Sequence, residues 1–86
     1  MFYLYILQSE KDNELYIGQT NDLKERLLRH NEGRVKSTKS RKPFKILLAK
    51  GYNTRSEAVT MELYLKSLKG GKKFKDILNH WGVAKW

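Results

Sequence analysis

Residues 2–7, Phe-Tyr-Leu-Tyr-Ile-Leu, carry no charge and mix aromatic with aliphatic side chains, which predicts a buried β-strand. Alternation along it puts Tyr3, Tyr5 and Leu7 on one face and Phe2, Leu4 and Ile6 on the other. The polar run Ser9-Glu10-Lys11-Asp12-Asn13-Glu14 reads as a turn, and Leu15-Tyr16-Ile17-Gly18 resumes strand character, so residues 2–18 form an antiparallel hairpin. A helix follows, capped by Asn21 or Asp22, with Leu23, Leu27 and Leu28 as its apolar stripe and Gly33 as its stop. Residues 34–43 are polar, basic and rich in Ser and Thr, and read as a mobile loop ending at Pro43.

Phe44 to Tyr52 contains Ile46-Leu47-Leu48 and predicts a third strand. Thr54-x-x-Glu57 matches a capping box and opens a second helix, whose apolar residues Ala58, Met61, Leu65 and Leu68 recur at three- and four-residue spacing. Gly70-Gly71 breaks it. A third helix from about Lys72 carries Phe74, Ile77, Leu78 and Trp81 at helical spacing. The order β-β-α-β-α-α describes a small α+β domain, with a three-stranded antiparallel or mixed sheet flanked by helices. The expected domain is 1–80, leaving 81–86 as a short C-terminal tail.

At 86 residues and 40% hydrophobic, the chain has room for one modest core and is not composed like a disordered one. Cysteine is absent, which excludes disulfides and thiolate–zinc sites. No apolar run approaches the roughly 18–20 residues that cross a bilayer. With no basic leader or cleavage site after Met1, the expectation is a cytoplasmic protein without membrane partners.

Charge changes the picture more. The net charge is +9, yet residues 1–32 hold four basic and six acidic side chains. Residues 33–50 hold seven basic ones (Arg34, Lys36, Lys39, Arg41, Lys42, Lys45 and Lys50) and no acid. A second basic block, Lys66, Lys69, Lys72, Lys73, Lys75 and Lys85, faces Asp76 alone. Such blocks attract polyanions by counterion release, so nucleic acid, RNA as well as DNA, is the leading partner. Mutual repulsion of lysine-rich surfaces favours a monomer.

The chemistry-bearing residues are ordered along the chain: Tyr3-Leu4-Tyr5, Tyr16-Ile17-Gly18, then Gln19-Thr20-Asn21-Asp22-Leu23-Lys24-Glu25-Arg26, His30-Asn31, and Glu62. Strand tyrosines usually serve packing, Arg26 could be a surface arginine, and Glu62 could simply pair with Lys66 one helical turn on. Yet Arg26 and His30 share a helix face, and Glu62 lies at or near the buried stripe, where an unpaired carboxylate is costly.

In this order the residues resemble a GIY-YIG nuclease domain, over residues 1 to about 80, and in particular the small single-domain members. Tyr3 stands where the family name has Gly, and Gln19 where several members carry lysine. The resemblance implies an endonuclease that hydrolyses DNA phosphodiester bonds with Mg²⁺ or Mn²⁺. By it, Tyr5 and Tyr16 activate and position the attacking water, either one being the base. Arg26 clamps the phosphate, His30 transfers a proton or contacts phosphate, and Glu62 is the sole protein ligand of the metal. Arg34, Lys36, Lys39, Arg41, Lys42 and Lys66 would follow the DNA backbone, and Gly18 would allow close approach at the cleft. Such a domain commonly takes its targeting from an attached module or partner protein. The rival expectation is a non-catalytic nucleic-acid-binding module on the same fold.

Overall fold

A computed structural model describes residues 1–83. The elements follow the predicted order: β1 (Phe2–Ser9), β2 (Leu15–Thr20), α1 (Leu23–Asn31), a single 3₁₀ turn (Lys39–Arg41), β3 (Phe44–Tyr52), α2 (Arg55–Leu68) and α3 (Lys72–His80). The sheet is wholly antiparallel, in the order β2-β1-β3, so β1 is central and both partners are edge strands.

Alternation along β1 divides the molecule in two. Leu4 and Ile6 point to one face, where they join Leu15, Ile17, Leu65, Phe74, Leu78 and Val83 under α2 and α3. Tyr5 and Leu7 point to the other, where they meet Phe44, Tyr16, Leu23 and Leu27 under α1. The β1–β3 register slips between Ile6 and Leu7, and Leu47 and Leu48, neighbours in sequence, both pack against the first cluster. A bulge has that effect, because it interrupts the two-residue alternation.

Local sequence explains the helix ends. Asp22 caps α1, its carboxylate accepting from the Glu25 amide at 3.0 Å, and Gly33 takes the left-handed conformation after it. Thr54 and Glu57 form both halves of the capping box on α2.

Three expectations change. Leu28 is more than half exposed and does not belong to the α1 stripe; His30 takes the buried position instead. The segment 34–43 is anchored rather than loosely tethered. Thr38 is fully buried, Ser9 Oγ donates to the Arg41 carbonyl at 2.5 Å, and Lys11 Nζ donates to the Ser40 carbonyl at 3.0 Å. Packing also carries on past His80, for Trp81 lies against the main cluster and Val83 is part of it. The rest of the expected tail, 84–86 with Lys85, lies outside the described residues.

Candidate active site

Tyr5 is the centre of the α1 face. Its cross-strand neighbours are Gly18 and Ala49, both small, and its ring leans over Gly18 toward the β2 edge. A Cβ on Gly18 would lie 2.5 Å from the Tyr5 hydroxyl oxygen, so a side chain there and this pose of the phenol exclude each other. Tyr16 stands on the same face, two pairings further along opposite Leu7, with ring centroids 6.3 Å apart and planes tilted by 33°.

His30, on the last turn of α1, closes the group from above. It is 0% exposed, its ring packs edge-on against Tyr16 at 4.8 Å, and it touches the rings of Tyr5 and Phe44 as well. Nε2 lies 3.3 Å from the Tyr5 hydroxyl and Nδ1 lies 2.7 Å from Thr38 Oγ1. Thr38 Oγ in turn reaches the Val35 carbonyl at 3.4 Å. The set closes if Tyr5 donates to Nε2, Nδ1–H donates to Thr38, and Thr38 donates to the carbonyl. Both ring nitrogens of His30 are thus engaged inside the protein, and the contact at Nε2 leads through the Tyr5 hydroxyl.

Arg26 comes from the same helix, one turn earlier. Its guanidinium lies beside the Tyr5 phenol, and its Nε is buried with no hydrogen-bond partner among the described residues. Such an orphan donor is uncommon in a folded interior. Glu62 approaches from α2 on the opposite face of the sheet. It is not turned into bulk water: its side chain is 17% exposed, Oε2 accepts from Lys66 Nζ at 2.6 Å, and its charge reaches the Tyr5 phenol.

Electrostatics set the protonation state. Burial pushes the Tyr5 phenol up to about 12, with the charges of Tyr16 and Glu62 acting the same way against the pull of Arg26. Burial lowers His30 below its ordinary value, helped by Arg26 and Arg29. At neutral pH the pair is a protonated phenol against a neutral imidazole.

The structure thus brings together Tyr5, Tyr16, Arg26 and His30, with Glu62 within electrostatic reach. The loop cations divide. Arg34 pairs with Glu32 at 3.0 Å, and Arg41 pairs with Asp12 at 3.2 Å and sits against the hairpin turn. Lys36, Lys39 and Lys42 are exposed, and Lys66 is held by Glu62. Thr38 was not among the expected site residues: one threonine in a Ser- and Lys-rich loop gives no periodic signal. Asn31 brackets Phe44, donating to its carbonyl at 3.1 Å and accepting from its amide at 2.6 Å, which ties α1 to β3 beneath His30.

A metal fits this donor set only on narrow terms. No group of three or more His, Cys, Asp or Glu side chains gathers among the described residues. Glu62 could supply carboxylate oxygen to a hard dication, as Mg²⁺ often accepts one protein carboxylate with phosphate and water making up the rest. Lys66, nearly half exposed, would swing aside.

Two crossed tyrosines over a glycine, an arginine and a histidine on the next helix and a glutamate across the strand edge define a GIY-YIG domain, and this chain belongs to that family: the GIY-YIG catalytic domain model matches residues 1–75. Among relatives it is similar to the UPF0213 protein YazA of Bacillus subtilis, 40% identical over 83% of this chain and 72% of that one. A UPF0213 protein of Streptococcus agalactiae is 37% identical over 91% of this chain and 89% of its own. The solution NMR structure of the UPF0213 protein BH0048 from Bacillus halodurans superposes with a TM-score of 0.58 at 29% identity, covering 98% of this chain and 88% of that one. No helix among the described residues is long and apolar enough to cross a membrane.

Proposed function

We propose that the protein is a divalent-metal-dependent endonuclease-like domain that hydrolyses phosphodiester bonds in DNA. The observation that carries this reading is the buried, unpartnered Nε of Arg26 beside the Tyr5 phenol. A buried guanidinium donor with nothing to bond is costly, and a phosphate oxygen is the partner its charge and planar geometry suit.

In the proposed reaction a water lies between Tyr5 and Tyr16. It gives a proton to Tyr5 as Tyr5 passes its own to His30 Nε2, so no free phenolate accumulates. The imidazolium keeps its Nδ1–H on Thr38 Oγ1. The water oxygen forms the new bond to phosphorus opposite the breaking P–O bond, while Arg26 neutralises charge growing on the non-bridging oxygens. Glu62 would hold the divalent cation, which when bound would stabilise charge on the leaving oxygen. The resting pair, phenol high and imidazole low, holds its protons in the order this transfer starts from.

Lys36, Lys39 and Lys42 would track the backbone, and a separate partner would supply targeting. Arg34 and Arg41 would contribute less, being already paired with Glu32 and Asp12. The rival reading is a nucleic-acid-binding module without catalysis, favoured by one observation: Glu62 already has a cation, Lys66, at 2.6 Å.

The test is cleavage of supercoiled and branched DNA in Mg²⁺ or Mn²⁺, comparing the natural protein with Glu62→Ala. Nicking by the natural protein that vanishes in Glu62→Ala, with salt-sensitive binding retained, is the expected result. Equal binding and no cleavage by either protein selects the binding module.

A further inference from the structure

The five arginines of the chain do not have equal company. Arg29 pairs with Glu25, Arg34 with Glu32 and Arg41 with Asp12. Among the described residues, Arg26 and Arg55 have no carboxylate partner. Arg26 belongs to the site already described. Arg55 does not.

Arg55 is nonetheless held in place. Its Nη1 donates to Gln19 Oε1 at 3.0 Å, and its guanidinium carbon stands 4.8 Å from the centre of the Phe2 ring. The one acid nearby on its helix, Glu57, is turned to Thr54 in the capping box. An exposed guanidinium fixed by an amide and an aromatic ring, yet not neutralised, keeps its charge and its other N–H donors for an outside anion.

Its position gives that anion an identity. Arg55, Glu62 and Lys66 fall at helical spacings of seven and four residues, so they share one stripe of α2. The stripe lies along the open edge of β2. Arg55 is joined to Gln19 near the end of that strand, and Lys69, just past the helix, donates to the Leu15 carbonyl at its beginning. Arg55 is thus about 10 Å along the helix axis from Glu62, on the side away from Lys66. Duplex DNA carries a phosphate every ~3.4 Å of axis per strand, so an anion at that remove is a neighbouring phosphate of the same strand and not the one at Glu62.

We propose that Arg55 is a phosphate-binding residue for a phosphodiester a few nucleotides from the one at Arg26 and Glu62, with Gln19 and Phe2 as its positioning residues. The proposal rests on the reading that the substrate is a nucleic-acid strand. It adds the direction in which that strand runs, along the β2 edge beside α2.

Equilibrium binding to a short blunt DNA duplex in EDTA, where no cleavage competes, tests it across a series of salt concentrations. For Arg55→Gln the slope of log K against log salt should fall by about 0.9, the loss of one duplex phosphate contact. Lys11→Gln, the same charge loss in the hairpin turn at the far end of β1, should leave the slope unchanged. Arg55→Lys should keep the slope but bind more weakly, because an ammonium cannot both bond Gln19 and stack on Phe2. Equal slopes for Arg55→Gln and the natural protein, or no binding by the natural protein, overturn the proposal. Nicking in Mg²⁺ is scored separately. A lowered slope in a protein that never cuts keeps the Arg55 contact and removes hydrolysis, and an unchanged slope in one that cuts does the reverse.

Discussion

Under α2 and α3 the sheet buries eight hydrophobic side chains, Leu4, Ile6, Leu15, Ile17, Leu65, Phe74, Leu78 and Val83, with no titratable group among them. Under α1 it buries Tyr5, Leu7 and Phe44, and sets beside them His30 and Thr38, both 0% exposed. One strand feeds both layers, since Leu4 and Ile6 serve the first and Tyr5 and Leu7 the second. A strand whose residues alternate between faces can hold a polar network within 4 Å of backbone from a dry core, because neighbouring side chains never share an environment. The apolar face should therefore set stability, and the α1 face should set what the protein does, with little exchange between them.

Leu65→Ala should produce the largest change in stability. Leu65 is fully buried where α2 meets the sheet, so its truncation should cost about 2–5 kcal/mol, read as a lower denaturant midpoint at constant slope. DNA cleavage per folded molecule should hold. A large loss of cleavage in protein still folded would mean that the α2 core also tunes Glu62, and the division between faces would fail.

Tyr5→Phe is the matching change on the other face. It removes one hydroxyl, leaves the ring over Gly18, and frees His30 Nε2 of its partner, so stability should move by no more than about 1–3 kcal/mol. Cleavage should fall by roughly 10²-fold or more, the scale of a positioned proton acceptor. Retention of activity in Tyr5→Phe would pass the proton role to Tyr16.

These two layers were not equally legible in the sequence. The apolar face follows from local pattern: a charge-free strand, the Thr54–Glu57 box, and the spacing of Ala58, Leu65, Phe74 and Leu78 each depend on neighbours a few residues away. The tyrosines, Arg26 and Glu62 could be picked out because their order matches a known family. What holds them could not. Thr38 meets His30 across a loop that composition alone makes look mobile, and Arg55 meets Gln19 across 36 positions. A leucine and a histidine on one helix also compete for burial, and only the tertiary partners Tyr5, Tyr16 and Phe44 decide for His30 over Leu28. Arg55 alone left a trace, seven residues before Glu62 on one helix face.

The smallest expected effect is one of pH, and it sharpens the comparison because none of the eight side chains buried under α2 and α3 titrates. His30 is buried neutral, its ionisation held below the ordinary value of 6.5 by burial and by Arg26 and Arg29, with the Tyr5 and Tyr16 rings packed around it. In the unfolded chain it takes up a proton as pH falls through about 6.5. The unfolded state then binds more protons than the folded one, so stability falls with pH. The contribution is complete above 6.5 and is lost as pH drops from there toward the lowered folded value. His30→Gln, which can still bond Thr38, should flatten that part of the curve in denaturant titrations at successive pH values, while Leu65→Ala should shift the whole curve down without changing its shape. At the alkaline end Tyr5 has the opposite sign. Its phenol, raised to about 12, keeps its proton after the unfolded chain has begun to lose it near 10, so stability should decline over that interval. Tyr5→Phe should lessen the alkaline decline, the Tyr52 phenol keeping its own share because burial and Glu57 raise it too, and leave the acid limb in place. A curve whose acid limb is the same in His30→Gln as in the natural protein would show that the imidazole is not the group held neutral beneath α1.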